Sequence, residues 1–134
     1  MALDQNMSYY TIRLNADLSL DESFPLGKFT GLNSLPSILM QPDGKILVSI
    51  NVSSSSTVVK YNDTVINDGI YNMYSLIRLN QDGTLDNTFF SYNIGNTIVK
   101  FKILTDGKIL VLKENETLIM LDANGNYINY PLQW

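Results

Sequence analysis

Gln41-Pro42-Asp43-Gly44-Lys45-Ile46-Leu47-Val48 returns as Leu104-Thr105-Asp106-Gly107-Lys108-Ile109-Leu110-Val111, and this phrase decides the fold. Each copy places an Asp-Gly pair between two apolar runs and follows it with a lysine. Asp-Gly flanked by strand-forming residues is a strong short-range hairpin signal, and it predicts a tight type I′ turn with positive φ at both central residues. Asp43-Gly44 and Asp106-Gly107 are therefore read as structural turns. Lys45 and Lys108 are read as solubilising residues that guard the hairpin edges.

A second phrase recurs at nearly the same interval. Ile12-Arg13-Leu14-Asn15, with Asp17, Leu18, Asp21 and Phe24 behind it, returns as Ile77-Arg78-Leu79-Asn80, Asp82, Gly83, Asp86 and Phe89. This phrase repeats after 65 residues, from Ile12 to Ile77, and the Asp-Gly-Lys phrase after 63, from Asp43 to Asp106. Two phrases at one period indicate a duplicated structural unit. Ile119-Met120-Leu121-Asp122-Ala123-Asn124-Gly125-Asn126-Tyr127-Ile128 is a worn third copy. Asp82-Gly83 marks a further structural turn, and Asn124-Gly125 predicts a terminal hairpin with Tyr127 to Tyr130.

Leu35–Met40 and Ile46–Val52 form the arms of the first hairpin, after a turn-rich connector at Gly31–Pro36. The polar stretch 53–73, with turn signals at Asn62-Asp63 and Asn67-Asp68-Gly69, reads as an excursion with a small ribbon of its own. The second unit makes the same link with Lys113–Thr117 alone. Surface loops tolerate insertions of this kind. No window shows a 3.6-residue apolar period of helical length, so the fold class is all-β, with antiparallel hairpins and meanders.

The pattern Ile-Arg-Leu-Asn-x-Asp-Gly-Thr-Leu-Asp-x-x-Phe at 77–89, followed by Asp-Gly-Lys-Ile-Leu-Val at 106–111, resembles the delta-sixty repeat. That family is a β-propeller repeat of long extracellular bacterial proteins and some phage proteins. The resemblance spans about Ile12 to Leu121. It implies a single all-β domain over 1–134: a partial blade at 9–24, a blade at 35–93 with the insertion 53–73, and a second blade at 97–134. Within the middle blade it implies inner strands at Leu35–Gln41 and Ile46–Val52, and outer strands at Tyr74–Leu79 and Thr84–Phe90. Closed propellers take four to eight blades, and repeat units do not bury their faces alone. The expectation is an incomplete ring that self-associates as a homo-oligomer or docks on other structural proteins.

Composition narrows the chemistry. The 134 residues contain no Cys and no His. Disulfides, thiolate metal sites and the His-based catalytic arrangements are thus excluded. Net charge is −4 with nine scattered basic residues, which argues against a nucleic-acid partner, since phosphate binding needs a basic stripe. No apolar run reaches the roughly 20 residues of a membrane helix, so no membrane partner is expected. Met1–Tyr10 lacks a basic and then apolar leader, so no secretory signal is expected there.

Asn80, Asp82 and Asp86 carry alternating oxygen ligands around Gly83, but the bidentate Glu of a calcium loop does not follow, and a turn with Asx bonds is the favoured reading. No metal or cofactor is expected. Tyr127, Tyr130 and Trp134 form an aromatic group suited to a sugar ring, a core or a subunit interface. The expected function is a non-enzymatic structural or adhesive module, part of a phage tail, baseplate or fibre and hence located in the virion. The alternative is a carbohydrate-binding module, extracellular or on a cell surface, with a glycan as partner.

Overall fold

A computed structural model describes residues 7–32, 34–52, 58–67, 73–90, 94–95 and 97–128. All regular structure among them is β-strand, in antiparallel sheets. The N-terminal sheet has the order β1 (Met7–Thr11), β2 (Gly27–Leu32), β5 (Val59–Tyr61), β6 (Thr64–Asn67). The middle sheet has the order β3 (Ile38–Met40), β4 (Ile46–Val52), β7 (Met73–Leu79). The C-terminal sheet is a meander of β8 (Ile98–Ile103), β9 (Ile109–Lys113), β10 (Leu118–Leu121) and β11 (Tyr127–Ile128). Among the described residues no sheet closes into a barrel, and the arrangement is that of an incomplete propeller-like fold.

Strand β4 alternates Ile46, Val48, Ile50 and Val52 on one face with Leu47, Ser49 and Asn51 on the other, and both faces are covered by a neighbouring sheet. Leu47 and Leu76 pack toward the C-terminal sheet, in one core with Phe101, Ile109 and Leu121. Val48, Ile50 and Ile77 point the other way, into a second core with Phe29, Val59 and Tyr61 of the N-terminal sheet. Full burial of each such side chain contributes about 1.5–3 kcal/mol. The end sheets turn exposed lysines outward, Lys28 and Lys60 at one end and Lys100 and Lys102 at the other.

The hairpin turns differ from the type I′ expectation. In the first, the Gly44 N–H donates to the Gln41 carbonyl at 2.9 Å and the Gln41 N–H to the Lys45 carbonyl at 2.7 Å. Only the fourth residue, Gly44, has positive φ, at 85°. This is a type I turn followed by a left-handed residue, the three-residue hairpin. Asp43 stays at negative φ because its carboxylate accepts the Lys45 N–H at 3.0 Å and so bridges the turn. The same construction closes residues 15–19, 80–84, 104–108, 113–117 and 122–126.

In the first copy the left-handed place is held by exposed Leu18, with φ 71°. A side chain there costs about 1–2 kcal/mol relative to glycine, partly offset by glycine's greater freedom when unfolded. Leu18→Gly is expected to raise stability by about 0.5–1 kcal/mol, read as a higher urea midpoint; a lowered midpoint would contradict this assignment of strain.

Three further expectations are corrected. Gly31 and Leu32, read as the start of a connector, end strand β2, whose pairing with β1 and β5 is non-local. The β5–β6 ribbon of the insertion is not a separate excursion but extends the N-terminal sheet beyond β2. Thr84–Phe90 is not an outer strand: after a single bridge between Leu79 and Leu85, the Asp86 carboxylate captures the Thr88 N–H and the chain curls into a turn closed by the Phe89 N–H.

Candidate functional site

The repeated Arg, Asp and Phe of the second phrase build one device twice. In the middle unit, Arg78 on β7 lies almost fully buried, and each of its five N–H groups has a partner. Nε donates to Asp86 Oδ2 at 2.8 Å, and Nη1 to the Ala123 carbonyl at 2.9 Å and Gln41 Oε1 at 3.3 Å. Nη2 donates to Thr88 Oγ1 and Asn124 Oδ1, each at 3.3 Å. The guanidinium also stacks over the Phe89 ring, 4.9 Å from its centroid. Asp86 is further held by Lys45 Nζ at 2.9 Å. Burial pushes the Asp86 carboxyl up, but the hydrogen bonds from Thr88, Lys45 and Arg78 outweigh it and hold the group well below the usual carboxylate range.

The clasp joins three elements: strand β7, the 41–45 hairpin and the 122–126 turn of the next unit. Arg13 repeats the arrangement with Asp21 at 2.8 Å and Phe24 at 4.9 Å, and its Nη1 reaches the Gln81 carbonyl at 2.9 Å. Gln81 occupies the same place in its turn as Ala123 does in the following one. Each arginine therefore reaches forward into the next repeat. The third copy has Met120 and Ile128 at these positions, and they pair across strands β10 and β11 as an apolar substitute.

Residues 71–89, which hold the middle clasp, are similar to a family described as a domain of unknown function (DUF5122) beta-propeller. The likeness is to a propeller repeat. No curated protein and no solved structure matches the chain.

Within this propeller-repeat frame the sequence candidates separate. Asp43-Gly44, Asp82-Gly83 and Asp106-Gly107 lie in turns. Asp82 accepts from the Thr84 N–H and hydroxyl, which hold its carboxyl below the usual range, and Asp106 is held there likewise by the Lys108 ammonium and N–H. Asn80 donates to Thr84 Oγ1 at 2.9 Å, so the three calcium candidates each serve a turn or the clasp. Among the described residues no three His, Cys, Asp or Glu side chains converge to hold a metal ion. Tyr127 is 46% exposed on β11. Tyr130 and Trp134 lie outside the described residues, as do parts of the insertion.

Three concavities meet near the N-terminal unit. A polar cleft of about 610 Å³ is lined by Arg13, Ser23, Asp43, Lys45 and Asp82. Its charges balance, and Arg13 and Lys45 are both committed to aspartates. Beside it run two apolar hollows of about 380 and 240 Å³ that share Ile12, Phe24, Ile38 and Ile46. These hollows, absent from the expectations above, adjoin strand β3, where Ile38, Leu39 and Met40 are all exposed. The signal available in the sequence was the half-unit itself, which has the Arg-Asp-Phe phrase but no Asp-Gly-Lys hairpin before it.

Proposed function

We propose that the chain is a non-enzymatic structural or adhesive module of a larger assembly, built on delta-sixty-type propeller repeats. The observation that carries this reading is the exposed apolar strand β3 with its adjoining hollows, which no described residue covers. The described aspartates with shifted carboxyls are spent on turns and on the arginine clasps, which supports a scaffold rather than a catalyst. The resemblance to repeats of phage proteins supports a virion setting, as a tail, baseplate or fibre component, with copies of itself or other structural proteins as partners.

Light scattering after size exclusion, together with immunogold labelling of particles from the cells that make the chain, tests this. A mass that is a multiple of 15.1 kDa, or gold at one fixed position on the particles, is expected. A 15.1-kDa monomer that labels no particle would overturn the assembly reading, the more so if it bound defined sugars on a glycan array.

A further inference from the structure

The N-terminal unit lacks a part that the middle unit has. In the middle sheet, β7 pairs along one edge with β4, from Leu79 opposite Ile46 to Met73 opposite Val52. Along its other edge it receives the Leu85 bridge and the Ile94 N–H, which donates to the Tyr74 carbonyl at 2.7 Å. Strand β1 and residues 12–14 are the counterpart of β7, and among the described residues only this second edge is occupied.

The directions of the backbone groups establish which edge is open. The Lys28 carbonyl accepts from the Asn62 N–H on the β5 side, so alternation turns the backbone groups of Phe29 toward its partner Tyr9. Tyr9, Thr11 and Arg13 share one orientation along the strand, and the Arg13 carbonyl accepts the Asp21 N–H at 2.8 Å. Strand β2 and the Leu20–Asp21 return thus lie on the same side. The N–H and C=O of Tyr10 and Ile12 face the opposite way, where no strand among the described residues pairs with β1.

The side chains tell the same story independently. Leu47 on β4 has no exposed surface and lies in the core with Phe89, Phe101, Ile109 and Leu121. The repeat maps these four onto Phe24, Ile38, Ile46 and Leu79, and these line the two apolar hollows. Phe101 is 6% exposed and its counterpart Ile38 is 58% exposed. The polar contacts are missing too. The 41–45 hairpin gives Arg78 the Gln41 acceptor and gives Asp86 the Lys45 ammonium. Arg13 and Asp21 have no such partners among the described residues, and their side chains are 35% and 20% exposed against 4% for each of Arg78 and Asp86.

We propose that the open edge of β1 and the adjoining hollows accept, by strand addition, a β-hairpin of the Asp-Gly-Lys type that lies outside residues 1–134. The incoming strand pairs with Tyr10 and Ile12, places a leucine among Phe24, Ile38, Ile46 and Leu79, and brings a lysine to Asp21. Main-chain bonds give such addition its affinity, and alternate side-chain pockets give its specificity. This rests on the assembly reading above and names the partner's chemistry.

The probe is a synthetic peptide with the sequence of residues 35–52, titrated into the full chain. Saturable one-to-one binding is expected, with slower hydrogen exchange at the Tyr10 and Ile12 amides. Leu47→Asp in the peptide should weaken binding at least about tenfold, since it buries a charge where a leucine belongs. Lys45→Ala in the peptide should weaken it severalfold, and should have no further effect on a chain carrying Asp21→Ala. No saturable binding, indifference to Leu47→Asp, or exchange changes confined to β4 and β7, as when the probe displaces the chain's own hairpin, would each overturn the proposal. A chain that assembles or labels particles yet ignores the peptide refutes strand addition alone. One that binds the peptide yet labels no particle refutes the virion setting alone.

Discussion

Arg78→Ala is expected to cost about 3 kcal/mol of stability, the range for breaking a buried ion pair while its partner stays buried. The loss exceeds that of one bond because five donors vanish together. The Ala123 carbonyl, Gln41 and Asn124 lose their common partner, and the 122–126 turn loses its tie to β7. Lys45 still neutralises part of the Asp86 charge, which keeps the effect from being larger. Arg13→Ala, whose ion pair is open to solvent, should move the urea midpoint far less. Equal losses in the two variants would contradict the burial difference between the clasps.

Acid supplies a second reading of the same clasp. The folded Asp86 carboxyl is depressed, so its stabilisation is complete above the unfolded value near about pH 4 and drains away as pH falls toward the folded value. Removing Arg78 reduces that depression. The gap between the original chain and Arg78→Ala should therefore narrow below about pH 4, measured by urea unfolding at neutral and acid pH. A constant gap would mean that Arg78 acts through packing alone.

Gly125→Ala and Gly107→Ala should differ sharply although both glycines have φ 88° and the same place in the same turn. At Gly107 a Cβ would meet only the Ala123 Cβ, at 3.7 Å. The cost is that of the left-handed backbone, about 1–2 kcal/mol. At Gly125 a Cβ would collide with the Phe90 carbonyl oxygen and come within 2.7 Å of the Phe89 ring. The Phe90 N–H donates to the Asn124 carbonyl at 2.8 Å, so the backbone cannot retreat without losing that bond. An overpacking term of about 1–3 kcal/mol is added, and thermal unfolding of the two variants should separate them by several degrees. Matching melting temperatures would show that the turn can move away from Phe89.

The two recurring phrases made the all-β fold class legible, because hairpin formation is a local affair of turn chemistry and flanking apolar residues. The turn type was not legible from Asp-Gly, because the pair fills the last two places of a type I turn and not the two central ones. Pro42, with φ fixed near −65°, suits the first central place of a type I turn and was the residue that could have shown it. Strand β2 was hidden because Gly31 reads as the start of a connector, and its partners lie far along the chain in β1 and β5. Gly27 is small for a reason outside its own segment, since Thr11 and Tyr61 side chains occupy the space a Cβ would take.

Arg78 stood in plain view as a charge within an apolar strand, repeated at Arg13. Its value depends on Ala123, Asn124 and Gln41, which only the stacking of sheets brings together. The unfilled edge of β1 was equally non-local: the missing hairpin was visible as half a repeat, while the hollows needed Ile38 and Ile46 of the following unit.

Because the middle sheet lies between two separate cores, the cooperativity of the molecule is that of a short linear array. Loss of the middle sheet dissolves both cores at once, whereas either outer sheet can detach and leave the other core intact. The first clasp lacks the two contacts that the 41–45 hairpin gives the second, so the N-terminal sheet is the end that frays first. Native-state exchange would resolve this as a sub-global opening of β1, β2, β5 and β6 below the free energy of complete unfolding.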